Sequence, residues 1–367
     1  MFRRFIIACL LFGCVLMLFA CNEVEQLPSE SNETESDTEI INAPQEDDPE
    51  TTKEDEEDLK KSIDLYIIAG QSNAAGYTKI NNTVLLQLWN KASTGSSNVL
   101  YAGRAEYSLN VNTPQVSTVA NEVQWTNAKT GQGKTTSHMG VEVGMAKVLS
   151  EEYYTGNKTA GIIKFAHGGT SLIGGTGSEN AANGNWVPPS FAKLKGWSYT
   201  GIHGGLYRGL LAQVEKNISE LKTLGYEEIS IKGLFWMQGE SDAGCYASVY
   251  EKAFECLVND LRNDLGKITE EDLSVLPIIV GEISETMGSA SAGQVAINQS
   301  FINIQRGLAE KNENVYILPT SQYLVNTWTD QGDKRDPFQN DPYHWNTEQI
   351  FQIGELVGRC IIDNILN

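Results

Sequence analysis

Only four histidines stand in the 367 residues, at positions 138, 167, 203 and 344. With no Cys-x-x-Cys and no His-x-x-x-His in the chain, a structural zinc has no ligand pattern to build on, and no metal or cofactor is expected. Cysteine is scarce as well: six in all, three of them at 9, 14 and 21 near the start. Cys245, Cys256 and Cys360 remain, an odd set that allows one disulfide and a thiol, or no disulfide. Basic residues are outnumbered 27 to 47, for a formal charge of −20. Such a chain is poorly suited to nucleic acid or to anionic membranes. No apolar run reaches the roughly 20 residues that a spanning helix needs, and no internal repeat is present.

The longest apolar run, residues 5–20, follows Arg3-Arg4 and closes on Leu18-Phe19-Ala20-Cys21. Its length and basic start read as a secretion signal rather than an anchor helix. The last four residues resemble the lipobox of bacterial lipoproteins, which implies cleavage before Cys21 and diacylglycerol on its thiol. The expectation is an exported protein, lipid-anchored at the bacterial cell envelope or cell surface and touching membrane only through that anchor. Residues 22–61 hold sixteen acidic and three basic side chains and few apolar ones. They read as a disordered, self-repelling tether. About two thirds of the net charge sits there. Residues 62–367 carry the folded domain.

Within that domain short β-branched runs recur at 64–70, 160–166, 229–239, 275–284 and 314–320, and stretches of helical spacing lie between them, at 141–153, 205–224, 246–264, 295–311 and 347–364. Strands apolar on both faces, alternating with helices, predict an α/β fold, a central parallel sheet between two helical layers. The segments 78–140 and 171–203, rich in Gly, Asn, Ser, Thr and Trp, read as long loops shaping a cleft. Ligands of open parallel sheets bind beyond the carboxyl ends of the strands. Four of the five predicted strands end in chemically useful residues: Gly70-Gln71-Ser72-Asn73, His167-Gly168-Gly169-Thr170, Gln238-Gly239-Glu240-Ser241-Asp242 and Gly281-Glu282. The fifth is followed by Asn340-Asp341-Pro342-Tyr343-His344-Trp345-Asn346.

A serine hydroxyl attacks well only when a base takes its proton and a third group orients the base. His344 stands three residues after Asp341, a spacing at which a tight turn lets the carboxylate hold one ring nitrogen while the other faces Ser72. A helix-capping loop histidine is the plainer reading of that pair alone. Charge on a tetrahedral intermediate needs fixed donors. The Ser72 and Gly169 backbone N–H groups and the Gln238 side-chain amide are the candidates.

The blocks AGQSN, HGGTSL, WMQGESD and DPYHWN, in this order between residues 69 and 346, resemble the SGNH hydrolase superfamily in its sialate O-acetylesterase and carbohydrate esterase family 6 branch, which includes acetylxylan esterases. The wider superfamily has Gly-x-Asn-Asp where this chain has Gln238-Gly239-Glu240. The resemblance implies a three-layer α/β/α sandwich of flavodoxin-like type that hydrolyses acetyl esters on carbohydrates without a metal. It implies Ser72 as nucleophile, Asp341 and His344 as its partners, and Ser72, Gly169 and Gln238 as the oxyanion site. The family often has Asp-Gly-x-His, whereas Pro342 here fixes φ near −65° after Asp341. Should that turn Asp341 away, Glu282, at the end of its strand, resembles a position where some family members place an acidic partner for the histidine, and it is the alternative orienter of His344.

Gln71, Asn73, His167, Glu240 and Trp345 are candidate substrate contacts. Trp125, Trp186 and Trp197 could also stack on sugar rings, although packing is the commoner role of a tryptophan. Glu240 and Asp242 could form the paired carboxylates of a glycosidase or lyase, but in this context they read as acids that pin loops. Glu142 reads as structural. A serine esterase acting on an acetylated carbohydrate is the expectation, with acetylated xylan preferred to O-acetylated sialic acid on charge. A surface glycan-binding lipoprotein without catalysis is the alternative.

Overall fold

The computed structural model describes residues 60–109, 116–173, 186–199, 203–244, 246–323, 325 and 342–367. The strands are β1 (Ser62–Gly70), β2 (Thr78–Lys79), β3 (Val99–Leu109), β4 (Val116–Asn127), β5 (His138–Met139), β6 (Ala160–Ala166), β7 (Glu228–Met237), β8 (Ile278–Gly281) and β9 (Val315–Leu318). The α-helices are α1 (Ser72–Ala75), α2 (Asn82–Leu88), α3 (Glu142–Glu152), α4 (Pro189–Lys195), α5 (Gly205–Thr223), α6 (Ala247–Thr269), α7 (Ala292–Lys311) and α8 (Thr347–Ile361). All five predicted strands and all five predicted helices are present, with ends shifted by a few residues.

Seven strands form one sheet in the order β4-β3-β6-β1-β7-β8-β9, and β2 pairs with β5 in a small antiparallel ribbon. Every pairing in the large sheet is parallel except β3 with β4. The sheet is therefore mixed rather than wholly parallel. The β3–β4 hairpin lies inside the segment read as loop. Its strands alternate apolar with polar or charged residues over much of their length, β4 is the edge of the sheet, and Arg104 of β3 meets Glu122 of β4 across the pair at 2.8 Å. That pattern lacks the continuous apolar run that marks a central strand.

The helices fall into two layers. α3 packs on α8 with α2 beside it, while α5, α6, α4 and α7 pack on one another. The α3–α8 crossing is close because two glycines face it: a Cβ on Gly144 would overlap the carbonyl of Phe351, and one on Gly354 that of Val141. Between the layers the sheet is dry. Leu65, Ile67, Ile68, Ile163, Phe165, Trp236 and Val280 are all buried. Among the described residues an ion pair lies within this core, Lys164 of β6 with Glu142 at the start of α3, 3.0 Å apart.

β1 occupies the switch point of the topology. The chain leaves it for β3 on one side, returns through β6, and crosses to β7 on the other side. The register aligns Gly70 with Ala166 of β6 and with Met237 of β7. Gln71, His167 and Gln238 consequently leave three adjacent strands at the same level. Sequence blocks some 70 to 170 residues apart are made neighbours by register alone.

Candidate active site

Ser72 opens α1 immediately beyond β1 and is buried except toward the cleft. The turn that carries it depends on Gly70, whose φ of 141° is closed to other residues and whose missing Cβ leaves room for the Met237 carbonyl. That carbonyl accepts the Gln71 N–H at 3.0 Å, fastening the nucleophile turn to the end of β7.

His344 precedes α8, whose first turn is fixed by a capping box: Asn346 accepts from the Gln349 N–H at 2.9 Å, and the Gln349 side chain accepts from the Asn346 N–H at 3.2 Å. The loop bearing the imidazole is held from three directions. Asn73 donates to the Tyr343 carbonyl at 3.2 Å, Thr78 to the Trp345 carbonyl at 2.7 Å, and the Gly288 N–H to the Pro342 carbonyl at 2.7 Å. Its ring stacks on Tyr77, with centroids 4.8 Å apart. A general base placed this way loses little further freedom when it acts.

Ser72 and His344 line one cleft of ≈ 530 Å³ with Gln71, Gly168, Gly169, Glu240, Ser241, Met287, Tyr77 and Tyr343. Gly169 sits at φ 66° in open space, on the cleft side of the turn that ends β6. Asp341 lies outside the described residues, as do Cys21 and Cys245. Cys256 and Cys360 are free thiols. Among the described residues no group of three or more His, Cys, Asp or Glu side chains is placed to hold a metal ion.

Several expected site residues are elsewhere. Gln238 is fully buried behind the cleft: its amide nitrogen donates to the Thr170 carbonyl at 3.0 Å, to Asp242 at 2.5 Å and to Gln71 at 3.3 Å. Its amide oxygen accepts from the Tyr250 hydroxyl at 3.0 Å, which fixes the orientation of the group. An amide has two N–H groups, and three protein acceptors share them, so no donor is left to face an oxyanion. Asn73 is buried too and clamps Glu240 at 2.7 Å rather than meeting substrate. Trp345 is packed away from solvent with its indole N–H on the Tyr323 carbonyl. His167 is half-buried and is not among the residues lining the cleft; its Nδ1 lies 3.0 Å from the Gly168 carbonyl. Glu282 takes Arg306 at 2.6 Å and the Ser321 hydroxyl at 2.5 Å, and it lines a different hollow. Both its oxygens are engaged away from His344. Trp186 is buried against Trp236, and Trp125 donates to the Asn217 carbonyl of α5. The aromatic faces of the cleft are Tyr77 and Tyr343, the latter 53% exposed. Their signal in the sequence was adjacency: one closes the GQSNAAGY turn and the other directly precedes His344.

A family model described as carbohydrate esterase, sialic acid-specific acetylesterase, matches residues 62–362. The chain belongs to this family. Among solved structures, NanS aligns at 14% identity with a TM-score of 0.52, covering 83% of this chain and 97% of its own. A protein from Arabidopsis thaliana aligns at 19% identity and TM-score 0.49, over 82% of this chain and 98% of that one. A carbohydrate acetylesterase from Xanthomonas citri aligns at 15% and 0.49, over 82% and 55%. No curated protein matches by sequence.

In this carbohydrate esterase Glu240 is the carboxylate of the described residues that lines the cleft. Burial raises its pKa, while the Asn73 amide, its own backbone N–H and the nearby His344 pull it back. A carboxyl whose folded pKa is raised keeps a proton that the unfolded chain releases, so stability falls as pH rises from about the unfolded value of 4.5. Glu240→Gln preserves the oxygen that accepts from Asn73 and removes the titration. It should be more stable than wild type at pH 7 and no more stable near pH 4, as read by urea unfolding at the two pH values.

Proposed function

We propose that the protein is an exported, lipid-anchored serine esterase that removes O-acetyl groups from a carbohydrate. Ser72 attacks the acetyl carbonyl, His344 takes the hydroxyl proton, and Asp341 orients the ring. The Ser72 and Gly169 N–H groups receive the oxyanion. His344 then protonates the departing sugar oxygen, and water releases acetate from the acetyl-enzyme by the reverse proton path. The observation that carries this reading is the convergence of Ser72, Gly169 and His344 on one cleft.

On net charge alone, acetylated xylan is the preferred substrate. Local charge favours O-acetylated sialic acid instead. Lys134 lies 4.2 Å over the Tyr77 ring on which His344 stacks. Lys79 pairs with His138 across the β2–β5 ribbon, and the His138 pKa is lowered by burial and then by Lys134, Lys79 and His344. Charges beyond about 8–10 Å are screened at physiological salt, so these cations beside the Tyr77 wall of the cleft are set against the net negative charge of the folded domain. An acidic sugar is the class that the geometry supports better, with acetylated xylan second.

The test is acetate release by the full chain, wild type beside Ser72→Ala, on O-acetylated sialic acid and on acetylated xylan. Serine-dependent release supports the reading, and the faster substrate identifies the sugar class. No release from either, nor from an aryl acetate, sinks it and favours a glycan-binding lipoprotein. Cleaved glycosidic bonds without dependence on Ser72 would point to the Glu240 and Asp242 carboxylates instead.

A further inference from the structure

We infer that Asp242 is the positioning residue of the oxyanion peptide: its buried carboxylate sets where the Gly169 N–H stands relative to Ser72. The inference rests on the esterase reading and adds to it the device that holds the oxyanion site in shape.

Gly169 has no side chain to fix it. A Cβ built on it would meet nothing within 4 Å, so its peptide is located by the His167 ring, whose Nδ1 lies 3.0 Å from the Gly168 carbonyl, and by the residues that follow. Thr170 is buried; its hydroxyl donates to the His167 carbonyl at 2.7 Å and accepts the Trp186 indole N–H at 3.1 Å, closing the turn. Beyond it the chain is fastened by the Trp186 N–H on the Ser171 carbonyl at 3.1 Å, by the Ile173 N–H on the Ser171 hydroxyl at 3.1 Å and, most extensively, by one carboxylate. Asp242 accepts the Ser171 hydroxyl at 2.5 Å, the Leu172 N–H at 2.9 Å and the Ile173 N–H at 3.4 Å. Its fourth donor is the Gln238 amide at 2.5 Å. A carboxylate offers about four acceptor positions, and here all are taken by two loops.

The same hub reaches the nucleophile. Gln238 joins Asp242 to the Thr170 carbonyl and to Gln71, the residue before Ser72, and Gln71 also accepts the Ser241 N–H at 3.3 Å. Asp242 is held in turn by its own N–H on the Gly239 carbonyl at 2.9 Å. Beside the backbone bond from the His167 N–H to the Gly70 carbonyl at 3.1 Å, the Ser72 turn and the Gly169 turn are thus joined through one carboxylate and the amides of Gln238 and Gln71. Misplacing a catalytic donor by about 1 Å costs on the order of 100-fold in rate.

The experiment uses the full chain with 4-nitrophenyl acetate as substrate and phenylboronic acid as the probe of the tetrahedral state, whose boron bonds the Ser72 oxygen while the hydroxyl proton passes to His344. Asp242→Ala should lower kcat by about 100-fold with little change in KM, and raise the boronate inhibition constant in parallel. Asp242→Asn should recover much of the loss. Its amide keeps an oxygen for Leu172 and Gln238, and the Ser171 hydroxyl can turn to accept from its nitrogen. A role confined to stability would move the unfolding midpoint without moving boronate affinity. Should Asp242→Ala not fold, Ser171→Ala decides, with a fall of about 5- to 10-fold expected from the loss of one hydrogen bond. Variants that keep wild-type kcat, or lose kcat without losing boronate affinity, overturn the inference and leave the esterase intact. A wild-type chain inactive on every acetyl ester overturns both.

Discussion

Ser72→Ala should lower kcat on an acetyl ester by about 10⁴-fold or more, and His344→Ala should cost about as much, yet the double variant should be no slower than either single one. Nucleophile and base act on the same proton, so once one is gone the other has nothing to do. The rate left over comes from the cleft and its backbone donors, which still favour the tetrahedral state when water attacks directly. Ser72 contributes only its hydroxyl to the turn, and the backbone of α1 is fixed by Gly70 and by the Gln71 N–H on Met237. Its alanine variant should therefore unfold at the wild-type midpoint. His344→Ala removes a ring stacked on Tyr77, and a loss of about 1 kcal/mol is expected from that contact. The checks are single-turnover rates with 4-nitrophenyl acetate and a mass spectrum of the trapped acetyl-enzyme. Losses that multiply in the double variant would show that the two residues do not act as a unit and that the nucleophile lies elsewhere.

The central strands and their helices were legible because a strand buried on both faces is apolar nearly throughout, as in Leu65–Ala69 and, but for Lys164 with its Glu142 partner, in Ile162–Ala166. The β3–β4 hairpin was not, because its strands break their apolar runs with polar and charged residues, and β4 is an edge. The chemistry of the cleft was legible at the ends of β1 and β6, where Gly70 and Gly169 mark backbone that must be left-handed or close-packed. What the sequence could not disclose is direction. Nothing in the letters of GQSN or QGESD tells that Asn73 and Gln238 point into the protein and that Gln71 and Glu240 line the cleft. The same holds for Glu282: one strand end away from the site, it is turned by Arg306 of α7 toward the opposite side. Register decides which strand ends are neighbours, and the partners on each side decide which side chains reach the substrate.

Breaking the buried pair of Lys164 and Glu142 should destabilise the fold more than any exposed substitution, by about 3–5 kcal/mol, because the remaining charge is left in a dry core. The two halves are not equivalent. After Lys164→Met, Glu142 retains the Gly140 N–H at 2.9 Å and its place in the first turn of α3, where the helix dipole favours a negative charge. After Glu142→Leu, Lys164 retains only the Tyr101 ring, 5.3 Å from its ammonium. Glu142→Leu should therefore be the worse of the two, and the double variant Glu142→Leu with Lys164→Met should recover much of the loss. A pH signature separates this account from simple mispacking. Burial already lowers the Lys164 pKa against the pull of Glu142; without Glu142 the folded chain should hold the lysine neutral while the unfolded chain stays protonated. The unfolded state then binds the extra proton, so the stability of Glu142→Leu should rise with pH, by up to about 1.4 kcal/mol per unit, until the lysine of the unfolded chain loses its own proton near pH 10. Urea unfolding of the three variants between pH 7 and 10 reads both the order and the slope. A flat profile for Glu142→Leu, or a loss equal to that of Lys164→Met, would mean that the pair is not what holds β6 against α3.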